Sequence, residues 1–190
     1  MNPVKDIPII IVATLAAPAW VSCAFFQQHV PGLTMSDANL VSVLGSLDEG
    51  EIDAARLAVD KASAPEVRAF AGRILNEHRA LAEANERLTT ELSLQPEPPA
   101  LASAVKRAHD KAMQELRARS GPNFDRAYVQ HEIQKHVEAF NFLEAAAKFE
   151  STATIKQELI RTGPDLLSHI SAARALERHL GSERKEVASR

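Results

Sequence analysis

Glu51, His78, His136 and His169 stand where a bundle-forming sequence would place leucine. Each interrupts an apolar stripe with steps of three and four: Leu40-Leu44-Leu47-Glu51-Ala54-Ala58, Val67-Ala71-Ile74-His78-Leu81-Asn85-Leu88, Val129-Ile133-His136-Phe140-Leu143-Ala147, and Ile155-Leu159-Thr162-Leu166-His169-Ala173-Leu176-Leu180. Such a stripe is the inward face of an amphipathic helix, so all four polar groups should face one shared interior. One carboxylate and three imidazoles meeting there form either a metal site or a buried hydrogen-bond network that fixes helix register. Three nitrogens and one oxygen suit a single zinc, copper or iron ion. Asp48, Glu132 and Asp165 lie three or four residues before Glu51, His136 and His169, and could orient the ligands from behind. A di-iron carboxylate centre needs Glu-x-x-His on two helices. The residues three before the histidines are Leu75, Ile133 and Leu166, which disfavours ferroxidase or oxygenase chemistry. A histidine on an apolar seam is also commonly a core residue satisfied by a neighbour, so both readings stay open.

The elements that must position these groups follow from caps and breakers. Ser36 reads as an N-cap for a helix ending near Ala62, and Ser63 as the cap of a second running to about Leu92, with Pro65 in its first turn. Pro96, Pro98 and Pro99 force an extended connection to a crossover helix from about Ala100 to Arg119, which stops at Ser120-Gly121-Pro122. The third bundle helix covers about Asn123–Phe149 and the fourth Thr152–Leu180, with a break or kink expected at Gly163-Pro164. Counting from the two hairpin turns at ~1.5 Å per residue leaves Glu51 and His78, and likewise His136 and His169, offset by roughly 6 Å along the axis. Side chains bridge that distance. His29, His109, His131 and His179 fall off the stripes and read as solvated, and Tyr128 as a flank residue. Asp125, in the first turn of its helix, suits the positive end of the helix dipole.

Alanine-, leucine- and glutamate-rich text over 190 residues with seven glycines, one Trp and one Tyr argues for an all-α domain. A net charge of −3 with interspersed signs gives no basic stripe for nucleic acid. No glycine-rich phosphate loop, nucleophile elbow or Cys-x-x-Cys occurs. From Ile7 to Phe26 the chain carries no charge and follows Lys5, the pattern of a signal peptide or membrane anchor over residues 1–26. Ala17-Pro18-Ala19 offers a small-x-small cleavage site, and Val21-Ser22-Cys23 resembles the end of a lipobox, making Cys23 a lipidation candidate. Export to the periplasm or cell envelope, with membrane association through this segment, is the expectation. Residues 181–190 are polar and read as a disordered tail.

Ala-Pro-Glu-Val-Arg-Ala-Phe-Ala at 64–71, Asn-Glu-His at 76–78, Phe-Asp-Arg-Ala-Tyr at 124–128, Lys-His at 135–136 and Leu-Ser-His at 167–169 resemble a bacterial family of exported proteins, the domain of unknown function DUF4142. The similarity spans roughly residues 36–180. It implies a ferritin-like up-down four-helix bundle, here with the extra crossover helix, and recurrent histidines at His78, His136 and His169. The family usually shows Asp-His where this chain has Glu77-His78 and Lys135-His136. The resemblance implies no activity. The expected role is a non-enzymatic binding or stress-related module of the envelope; the alternative is a mononuclear metal protein using Glu51, His78, His136 and His169.

Overall fold

A computed structural model describes residues 35–188 apart from 97, 150 and 151. The expected signal or anchor over residues 1–26, Cys23 included, lies outside the described residues. Among these there are five helices and no strands: α1 (Asp37–Lys61), α2 (Pro65–Glu91), α3 (Ala100–Arg117), α4 (Gly121–Phe149) and α5 (Ala153–Ala188). No described helix is long and apolar enough to cross a membrane.

α1 packs along α2 and α4 along α5; the two hairpins then meet α1 to α4 and α2 to α5. α3 lies on α1 and touches α4. It carries the chain back to the end where α2 began, so that α4 starts there and α5 returns. The bundle interior holds two apolar cores. One, at the α2 and α4 N-termini, gathers Ala54, Ala58, Val67, Phe70, Ile74, Met113, Phe124, Tyr128 and Leu180. The other, at the α1 and α5 N-termini, gathers Leu40, Val43, Leu88, Ala102, Leu143, Ile155 and Leu166. Between them lies a buried polar layer: Asp48, Glu51, His78, Glu132, His136 and His169.

Local chemistry explains the helix ends. Ser36 caps α1 by accepting from the Asn39 amide at 3.2 Å, as its position suggests. The end of α2 is built differently. Its cap is Ala64, which has no side chain to offer, and Ser63 is not the cap expected of it. Asp125 reaches across from α4 instead, taking the Ser63 and Ala64 amides at 2.9 Å each as well as the Ser63 hydroxyl. A carboxylate at a helix N-terminus satisfies orphan amides and meets the positive end of the dipole. The same core corrects the expectation for Tyr128. It is fully buried, stacked parallel on Phe124 at 6.2 Å and edge-on to Phe70 at 6.4 Å.

α5 also departs from expectation. Of the break or kink expected at Gly163-Pro164, the break is absent: Pro164 lies inside a continuous helix. The carbonyl it deprives of a partner is that of Ile160, and both residues sit on the exposed side, where water can serve that carbonyl. The helix runs on to Ala188, through residues whose polarity suggested a disordered tail.

Candidate metal centre

The three imidazoles meet. One nitrogen from each of His78, His136 and His169 lies within 4.8 Å of the others, and all three residues are buried. Their ring centroids stand 4.8–5.6 Å apart. α2, α4 and α5 each supply one ring, because the stripe of each helix faces the same axis at the same depth.

Hydrogen bonds decide which nitrogen faces inward. His136 Nδ1 lies 2.9 Å from the Glu132 carbonyl oxygen, which can only accept, so Nδ1 carries the proton. His78 Nδ1 lies 2.9 Å from Asp48 Oδ1 and donates to that carboxylate. His169 Nε2 donates to the Glu77 carboxylate, leaving its buried Nδ1 without a hydrogen bond. Each ring is therefore held from behind by an oxygen and presents its other nitrogen to the centre. Metal-ligating histidines are oriented in this way, the outer acceptor setting tautomer and direction. The two inward Nε2 atoms of His78 and His136 stand 3.3 Å apart. Two imidazoles bound to one tetrahedral ion at about 2.0–2.1 Å would be separated by roughly 3.3 Å.

Facing lone pairs need a cation between them, and a proton can serve. Burial lowers the pKa of His78, but the Asp48 hydrogen bond and the charges of Glu51 and Asp48 outweigh it and leave it raised. Burial pushes His136 down to about 4, against the attraction of Glu51. Burial also lowers His169, opposed by the Glu77 hydrogen bond. Without metal, a proton between the two Nε2 atoms is held more readily by His78, which is raised, than by His136, which is lowered, and a metal ion must displace that proton.

Glu51 does not complete a four-residue cluster with the three histidines. It groups with Glu132 and His136, again with ligand atoms within 4.8 Å of one another. Glu132 is fully buried, with its Oε2 3.6 Å from His136 Nδ1. No close hydrogen bond reaches either of its carboxyl oxygens, Glu51 Oε2 or the Tyr128 hydroxyl, although Glu51 and Tyr128 both face Glu132 within electrostatic reach. Burial and the neighbouring Glu51 charge raise Glu132 well above the usual carboxylate range. Burial acts upward on Glu51 too, but His136 and His78 outweigh it and hold it below its ordinary value. A cavity of about 50 Å³ adjoins the layer, bounded by Asp48, Glu51, His78 and His136 on its polar side and by Leu81, Leu143 and Leu166 opposite.

Of the three orienting carboxylates suggested by spacing, Asp48 sits on His78 and Glu132 serves His136 through its main-chain carbonyl. Asp165 is exposed, and the residue bonded to His169 is Glu77 of α2. Spacing along α5 could not point to Glu77; its position beside His78, at the α2–α5 contact, could have. His109 and His131 are half-buried, less solvated than their off-stripe positions suggest. His109 tucks against α1 at Gly50, where an added Cβ would come within 3.3 Å of its ring. Burial pushes His131 down to about 4, with Glu51 opposing.

The molecule is thus an all-α bundle with a histidine- and carboxylate-lined middle layer. A family model described as Domain of unknown function (DUF4142) matches residues 26–176, and the chain belongs to that family. No curated protein matches it, and no solved structure does.

Proposed function

We propose that this DUF4142 protein is a metal-binding module of the cell envelope, holding one transition-metal ion through His78 Nε2, His136 Nε2 and His169 Nδ1. What carries the reading is the inward aim of three buried nitrogens, each ring anchored on its far side by Asp48, the Glu132 carbonyl or Glu77. A network meant only to fix register would pair its inward nitrogens, whereas His169 Nδ1 is buried without a hydrogen bond. The nitrogen set favours zinc or copper. The charge-free segment after Lys5 supports export, which would accord with a role in holding metal outside the cytoplasm.

Calorimetry with zinc and with copper tests this on the purified chain. The wild type should bind one ion of at least one of these metals at the histidines, and His136→Leu should abolish that binding while the bundle still melts cooperatively. A register network predicts the opposite pattern: no metal uptake by the wild type, and a loss of stability in the variant from partners left unpaired.

A further inference from the structure

The strongest unexplained feature lies on the other side of His136. Glu132 is 0% exposed with both carboxyl oxygens lacking a hydrogen bond, and Glu51 Oε2 and the Tyr128 hydroxyl are unpaired in the same place. A buried polar group without a close partner is destabilising, so four such atoms gathered at one point require a reason. Apart from the Tyr128 hydroxyl, the adjoining apolar core offers these groups no hydrogen-bonding side chain. The oxygens do converge: Glu51, Glu132 and His136 each bring a ligand atom within 4.8 Å of the others.

We propose that the core takes a second divalent cation, held by the carboxylates of Glu51 and Glu132 with the Tyr128 oxygen beside them. His136 stands between this oxygen-rich site and the histidine site and belongs to both groups. The proposal extends the histidine-site reading, and together they make a two-ion centre with a soft and a hard half. Nitrogen ligands select zinc or copper, whereas carboxylate and phenol oxygens suit manganese or iron(II). The histidine half draws on α2, α4 and α5, and the oxygen half on α1 and α4. Glu51 enters from α1, and Tyr128, Glu132 and His136 follow one another at intervals of four along a single face of α4.

Native mass spectrometry with elemental analysis tests the stoichiometry, on the full chain loaded with zinc alone, with manganese(II) alone, and with zinc followed by manganese(II), then desalted. The expected result is two ions per chain after sequential loading. Glu132→Gln, which keeps the shape of the neutral acid and so preserves the fold, should retain the zinc and lose the manganese. His169→Ala should do the reverse. Loss of the free manganese(II) electron paramagnetic resonance signal supplies a second readout, and Tyr128→Phe should weaken that uptake in a protein of unchanged helicity. One zinc in both wild type and Glu132→Gln, with no manganese uptake, would overturn the second site and leave the histidine site standing; Glu51 and Glu132 would then share a proton. No ion of either metal in the wild type would overturn both readings.

Discussion

Asp125 and Glu132 lie two turns apart on α4, and both are almost wholly shielded from solvent. Asp125 accepts three hydrogen bonds from Ser63 and Ala64 at the start of α2. Glu132 accepts none. The contrast separates two uses of a buried carboxylate. Asp125 arrives with its donors supplied by the fold and closes a helix end that has no cap of its own. Glu132 arrives in a layer of groups whose pairing is incomplete from within the chain, as expected where a site must coordinate something else. The first region is built for stability; on the proposed reading the second gives stability up for binding.

Several substitutions break or sharpen that contrast. The largest effect on binding should come from His136→Leu, which removes the ring common to both groups; zinc affinity should fall by more than about a hundredfold in calorimetry. The largest effect on stability should come from Asp125→Ala, about 2–4 kcal/mol in urea unfolding, since three bonds to a charged acceptor and the only side-chain cap of α2 go together. Metal affinity should stay unchanged in that variant. Asp48→Asn keeps a hydrogen-bonding side chain behind His78 but removes the negative charge, and should weaken zinc binding by roughly 10–100-fold.

Acidity sharpens the contrast further. His78 is raised above 6.5, so in metal-free protein its proton adds stability that is fully present below that value and lost as pH rises through the raised pKa. Zinc competes with that proton, so its affinity should fall about tenfold per pH unit below the His78 pKa and level off above it. His131 and His136 are pushed from 6.5 to about 4, so the stability of their neutral forms is lost as pH falls through that window. Urea midpoints across pH should fall on both sides in metal-free protein, and saturating zinc should remove the alkaline decline that stems from His78. The smallest effect is Glu132→Gln. Because Glu132 is raised, its neutral form contributes stability below 4.5 that is lost as pH rises, and the amide should flatten that part of the profile.

The stripe pattern was enough to locate the four helices, the crossover and the depth of the polar layer. It found His78, His136 and His169 because each lies at the centre of an inward face. It placed Glu51 in the right layer but could not show that it groups with Glu132 and His136, since periodicity gives depth and face but not rotation about the bundle axis. Glu77 escaped because a bundle helix touches two neighbours, and the stripe of α2 describes the face toward one of them. Tyr128 and Glu132 precede His136 by eight and four residues, on a flank of the α4 face wider than a three-four stripe. Asp125 could not be matched with Ser63 from spacing at all, because they are 62 residues apart and meet only once the hairpins dock.

X-ray absorption at the zinc edge, on wild-type protein loaded with one equivalent of zinc, tests the central claim most directly. The expected signal is three imidazole nitrogens at about 2.0–2.1 Å, with the multiple scattering of intact rings. Zinc lost on desalting, or a shell of oxygens with a single imidazole, would contradict it.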